Sequence, residues 1–302
     1  MIEAVSRAHA FAPAATPIIL YGESGTGKTF LAEYIHQISG RSGGFHAFSV
    51  GTVAPQLVLD ELFGHVQGAY TDARRMRTGR IAGAAEGTLL LDDLHTVDLG
   101  VQKQLLQMLD RGTYSAVGSD RVQTVVCRVM FAMTEAPDVL MQKGVLLRDL
   151  RFRFGECGIE MPPLRQRRTE IPLLAQRALE GCRQKTKVDG PTRFSDAAIG
   201  LLSDGEYEGN VRQLEGMVLS GYLVARARGA AQIDVDHLPV DSISVPPYRR
   251  HGGFEKNRAV VERALRITGG NVKQAAQLLG VSRTTVNVAR RGWSTISTPR
   301  YP

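Results

Sequence analysis

The stretch GESGTGKT, Gly22 to Thr29, constrains this chain more than any other. An apolar run, PIILY, leads into it, and beyond it Leu31, Ile35 and Ile38 recur at spacings of four and three, one face of a helix. Strand, glycine-rich turn and helix in that order supply backbone N–H groups that wrap phosphates and a helix N-terminus that favours negative charge. The stretch matches G-x-x-x-x-G-K-[ST] in full, so Gly22, Glu23, Ser24, Gly25, Thr26 and Gly27 are expected to cradle the phosphates of ATP. Lys28 is expected to reach the β- and γ-phosphates, and the Thr29 hydroxyl to ligate Mg²⁺. A chance glycine-rich turn would lack the flanking strand and helix.

A second run, GTLLLDDLHTVDLGVQKQLLQML, repeats the plan: a buried strand over 88–91, two acids, then a helix. Asp92 is placed to hold Mg²⁺ through its water shell, and Asp93 where a base or water-positioning carboxylate is needed. Taken alone, the pair could equally be turn residues at a strand end. VVCRVMFAMTEA reads as another buried strand. Apolar strands alternating with helices predict an α/β fold with a parallel sheet covered on both faces. From Pro162 to Pro239 the pattern turns helical, then PVDSISVPPYRRHGG reads as a linker. The expected domains are 1–164 α/β, 165–239 helical, 240–253 linker, 254–293 a compact helical unit and 294–302 a tail.

The formal net charge of +7 is unevenly spread: residues 249–302 hold eleven Lys and Arg against two Glu, a net of +9. A local basic segment suggests nucleic acid, although a solubilising tail would carry the same charge. Within it, AVVERALRITGGNVKQAAQLLGVSRTTVNVARRGW gives three short helices, with GGN and Gly280 as breaks and Ser282 as a cap. Small Ala275 and Ala276 permit a close crossing of the helix-turn-helix type. Arg283, Thr284, Thr285 and Asn287 are then expected at base edges, and Arg290 and Arg291 near phosphates. A small protein-binding bundle is the alternative. No apolar run is long enough to span a bilayer, and the N-terminus does not read as a leader peptide. Cys127, Cys157 and Cys182 are odd in number and far apart, which argues for a reducing cytosol and against a metal site.

In order, GESGTGKT, DELFGHVQGAYTDA, GTLLLDDLH, RDLRFRF, PPLRQR and GNVRQLE resemble the motifs of bacterial enhancer-binding proteins, the AAA+ activators of sigma-54 RNA polymerase. The resemblance covers about residues 1–240, and the C-terminal unit is similar to the Fis-type helix-turn-helix of the same family. It implies an AAA+ sheet sandwiched by helices, a helical lid and a homo-oligomeric ring, with a hexamer expected. Gly68, Ala69, Tyr70, Thr71, Asp72 and Ala73 correspond to the family's GAFTGA loop, which touches the sigma factor; Tyr replaces Phe and Asp replaces the second Gly. Arg153 matches the arginine finger offered to the neighbouring subunit, while the second finger's position is Leu147, beside Arg148. Arg212 matches the nucleotide-sensing arginine of the lid. Three polar positions around the terminal phosphate depart from the family: Asp93 stands for Glu, Ser49 for Asn and Thr134 for Asn.

The function expected is ATP-driven remodelling of the sigma-54 closed promoter complex by a cytoplasmic activator bound to enhancer DNA. The three departures imply attenuated hydrolysis. The alternatives are a DNA-binding regulator that uses ATP only to assemble, and a remodeller of some other protein. With no sensory domain ahead of the phosphate loop, control is expected from a partner, from expression or from a segment outside this chain.

Overall fold

The computed structural model describes residues 1–70, 73–186, 189–239, 260–261, 264–265, 268 and 270–294. The chain divides into two compact units, Met1–Pro163 and Leu164–Pro302.

In chain order the first unit holds α1 (Ile2–Phe11), β1 (Ile18–Tyr21), α2 (Lys28–Ile38), β2 (Phe45–Ser49), α3 (Val58–Phe63), β3 (Gly64–His65), β4 (Arg77–Thr78), α4 (Arg80–Gly83) and β5 (Thr88–Asp92). It continues with α5 (Leu99–Arg111), β6 (Thr113–Ser115), β7 (Val122–Thr124), β8 (Arg128–Met133), α6 (Pro137–Gln142), α7 (Arg148–Arg153) and β9 (Gly158–Glu160). Five strands form one sheet in the order β2-β5-β8-β1-β9, every pair parallel.

Alternation along the strands explains why their sequences read as unbroken apolar runs. Ile19, Leu89, Leu91, Phe131 and Met133 enter one core, with Val101, Leu105 and Met108 of α5. Ile18, Leu20, Leu90, Met130 and Ala132 enter the other, with Leu31, Ala32 and Ile35 of α2. Successive side chains point to opposite faces, and helices cover both faces. The predicted helix-sandwiched parallel sheet is the fold observed.

Arg128, at the start of β8, is only 1% exposed. Its guanidinium donates to Phe11 O at 2.7 Å, Ala12 O at 2.8 Å and Thr16 O at 3.3 Å. The charge therefore meets the negative end of α1, whose last carbonyls need donors. Burial lowers its pKa to about 10.

In the second unit, α8 (Ile171–Thr186), β10 (Arg193–Phe194), α9 (Asp196–Asp204), α10 (Asn210–Ala227) and β11 (Gln232–Ile233) enclose Leu179, Leu201, Leu214, Val218 and Tyr222. Toward the C-terminus, Val260, Val261, Ala264 and Leu265 are helical, followed by α11 (Val272–Leu278) and α12 (Arg283–Ser294). Val261, Ala264, Ala275, Ala276, Leu279 and Val286 form their core, as the small residues of α11 require for a close crossing. Gly280 takes φ +62, a left-handed turn residue that glycine adopts without strain. The expected linker 240–253 and tail residues 295–302 lie outside the described residues.

Candidate nucleotide-binding site and its neighbouring loop

A parallel sheet brings the C-terminal ends of its strands to one edge. β1 ends there in the loop Gly22–Gly27, which opens α2. Gly22 has φ +141, and a Cβ on it would collide with the Met161 carbonyl, so only glycine lets the strand turn so sharply. Thr26 Oγ1 donates to Glu23 O at 2.8 Å, and the threonine is 1% exposed. Lys28, 8% exposed, donates through Nζ to Gly22 O at 2.7 Å and Glu23 O at 3.0 Å. No acidic residue lies in the first turn of α2. A loop curled round a lysine at an acid-free helix N-terminus has the donors and the positive end that a polyphosphate needs.

Beside this loop lie the polar ends of the neighbouring strands. Gly22 N donates to Met133 O at 3.2 Å, joining the loop to the end of β8 and hence to Thr134. Asp92 closes β5 in register with Ser49, the last residue of β2. Asp93 follows in a left-handed conformation, φ 60 and ψ 33, which Asp tolerates better than most residues. Its backbone N–H donates to Asp92 Oδ1 at 2.9 Å, and its own Oδ2 accepts from Ser49 Oγ at 3.1 Å. Four expected residues, Ser49, Asp92, Asp93 and Thr134, thus share the edge with the phosphate loop. Thr29 stands exposed at the start of α2. The donor set fits a nucleoside triphosphate with a divalent cation.

One residue here escaped the sequence reasoning. His95 Nε2 lies 3.2 Å from Thr134 Oγ1, while its buried Nδ1 has no hydrogen-bond partner among the described residues. Its signal was an imidazole inside the LLLDDLH run that supplies both acids.

Arg153 ends α7 and turns onto the C-terminal end of α5, donating to Leu109 O at 2.6 Å and pairing with Asp110 at 3.0 Å. Leu147 caps α7, its N–H donating to Gln102 Oε1 at 2.9 Å, and the Arg148 guanidinium stacks 5.5 Å over the Phe152 ring. Arg212 is exposed in the first turn of α10 in the second unit.

The loop GHVQGAYTDARR leaves β3 and returns through the antiparallel β4. Gly68 N donates to Ala73 O at 2.8 Å and Ala73 N to Tyr70 O at 2.9 Å, closing its tip. Tyr70 remains 42% exposed but packs edge-on against His65, centroids 5.1 Å apart, with its hydroxyl 3.4 Å from Nδ1. His65 is itself buried, pairs with Asp60 through Nδ1 and meets Arg75 O at 2.8 Å through Nε2. Here the aromatic rests half-covered on an imidazole. Thr71 and Asp72 lie outside the described residues.

On α12, Arg283, Thr284 and Asn287 are exposed, whereas Val286 is buried. Thr285 is half-buried, and its N–H donates to Ser282 Oγ at 3.2 Å, the expected cap. The side chains of Arg290 and Arg291 lie outside the described residues.

Three family models together match most of the chain. The sigma-54 interaction domain matches residues 1–160, an AAA+ ATPase lid domain residues 165–249, and the bacterial regulatory protein Fis family residues 255–291. Regulatory protein LuxO of Vibrio cholerae is 32% identical over 292 residues, covering 92% of this chain and 64% of its own. Transcriptional regulatory protein ZraR of Escherichia coli is 32% identical over 285 residues, covering 91% of this chain and 63% of its own. The chain therefore spans somewhat under two thirds of these relatives. The crystal structure of NtrX from Brucella abortus superposes with a TM-score of 0.75 over 96% of this chain and 67% of that one, at 21% identity, and so shares the fold. Among the described residues no helix is long and apolar enough to cross a membrane. With its first 160 residues matched by the sigma-54 interaction domain, the chain belongs to that family of AAA+ proteins.

Proposed function

We propose that this protein is an ATP-driven transcriptional activator of sigma-54 RNA polymerase, acting in the cytoplasm from enhancer DNA held by its C-terminal helices. The observation that carries the reading is the convergence of Lys28, Asp92, Asp93, Ser49 and Thr134 on one sheet edge. Loop N–H groups and Lys28 hold the phosphates, while Thr29 and Asp92 hold Mg²⁺. The cation supplies charge neutralisation at the transferring phosphate. Asp93 orients the attacking water, and Ser49 fixes the rotamer of that carboxylate. Arg153 serves the adjacent subunit of a homo-oligomeric, hexameric ring after exchanging Asp110 for that subunit's nucleotide, and Arg212 serves as the lid's nucleotide sensor. Gly68, Ala69, Tyr70, Thr71, Asp72 and Ala73 contact sigma-54. Arg283, Thr284, Thr285 and Asn287 read bases, and Arg290 and Arg291 hold DNA phosphates.

The test is ATP turnover measured against protein concentration, with and without enhancer DNA. Specific activity is expected to rise with concentration, as a finger supplied in trans requires, and to rise further on DNA. Specific activity independent of concentration would count against the ring. A second reading has an observation in its favour: Asp93 is a short carboxylate already engaged by a serine. It makes the protein a DNA-binding regulator that uses ATP to assemble, and negligible turnover with intact binding would select it.

A further inference from the structure

His95 sits on the turn just after Asp93, within reach of the hydroxyl that ends the neighbouring strand. Its Nε2 and Thr134 Oγ1 are 3.2 Å apart, and among the described residues its buried Nδ1 has no partner. Either atom of the contact could donate, and the orphaned Nδ1 decides which one does. With the imidazole proton on Nδ1, His95 would accept from Thr134 and leave a buried N–H facing no acceptor, an arrangement native structures rarely hold. With the proton on Nε2, His95 donates to Thr134 and leaves only a bare lone pair buried, the lesser penalty.

A threonine hydroxyl that accepts from His95 keeps its own proton for another acceptor. Thr134 directly follows Met133, whose carbonyl accepts from Gly22 N at 3.2 Å, so the end of β8 that carries this hydroxyl adjoins the start of the phosphate loop. An uncommitted hydroxyl can both donate and accept, and it repels or attracts an anion according to its rotor. His95 removes that ambiguity. We propose that His95 is a positioning residue that commits the Thr134 hydroxyl to donate to the terminal phosphate of a bound nucleoside triphosphate. The pair then does with two side chains what a single amide donor does elsewhere. The inference rests on the nucleotide reading above and adds to it a device for telling triphosphate from diphosphate.

The test compares affinities of the full chain for a non-hydrolysable ATP analogue and for ADP, with isotope-labelled histidine NMR to read the tautomer. The parent is expected to prefer the triphosphate. His95→Phe and Thr134→Val should each cut that preference on the order of tenfold, the scale of one hydrogen bond to a charged group, with ADP affinity unchanged. His95→Gln, which keeps a donor near the Nε2 position, should retain most of it. The NMR signal lost in His95→Phe should be that of an imidazole protonated on Nε2. A preference untouched in His95→Phe, or a proton on Nδ1, overturns the assignment while leaving the nucleotide site standing. If the parent binds neither nucleotide, both readings fall. If His95→Phe also loses ADP, the tautomer and Thr134→Val decide the matter.

Discussion

Ser49 Oγ donates to Asp93 Oδ2 across 3.1 Å, tying the last residue of β2 to the residue that follows β5. Register makes the bond possible, since Ser49 pairs with Asp92 and the left-handed backbone of Asp93 swings its carboxylate back toward β2. A carboxylate that must orient a water needs such an anchor, because about 1 Å of misplacement can cost on the order of a hundredfold in rate.

Ser49→Ala is therefore expected to lower ATP turnover about tenfold, and Asp93→Asn to lower it more, with analogue affinity within about twofold of the parent in both. Turnover assays paired with fluorescent-analogue titrations check this. Equal turnover in Asp93→Asn and the parent would remove Asp93 from the chemistry.

Arg128→Met should destabilise the first unit by roughly 2–4 kcal/mol, because it leaves the Ala12 and Phe11 carbonyls without their donors. Urea unfolding followed by a probe in that unit gives the number. A loss under about 0.5 kcal/mol would mean that water replaces the guanidinium freely.

The phosphate loop, the acidic strand end and the C-terminal helices were legible because each is local. Gly22 takes a positive φ, Lys28 opens α2, Asp92 ends β5 and the Ser282 hydroxyl accepts from Thr285 N, each placed where its sequence neighbours put it. β9 was not foreseen: GIE is too short to show a period, and it becomes a strand only through pairing with β1. Nor were the partners of Arg128, more than a hundred positions away in α1 and the turn after it. Tyr70 reads from sequence only as the aromatic of a sigma-contacting loop, and its contact with His65 depends on the hairpin bringing the two rings together. His95 was overlooked for another reason: a lone imidazole carries no spacing rule, and its meaning lies in an unpaired nitrogen.

Removal of residues 240–302 should abolish most DNA affinity, since the basic excess lies in 249–302. Affinity of the full chain should fall steeply with salt, as phosphate contacts release counterions. Arg283→Ala and Asn287→Ala, on exposed positions of α12, should each weaken a specific site by about 1–3 kcal/mol and leave non-specific binding nearly intact in the asparagine variant. Gel-shift titrations at several salt concentrations measure all three. A chain ending at Pro239 that keeps full affinity would move the DNA site elsewhere.

On the proposed function, nucleotide held by the phosphate loop drives remodelling of sigma-54 polymerase through the Tyr70 loop. The most direct measurement is open-complex formation by sigma-54 holoenzyme on a cognate promoter with purified protein and ATP. Open complexes are expected with the parent, none with Lys28→Ala, which lacks the loop's lysine charge, and a loss of at least about tenfold with Tyr70→Ala despite normal nucleotide binding. Open complexes formed equally well by Tyr70→Ala, or by Lys28→Ala, would contradict it.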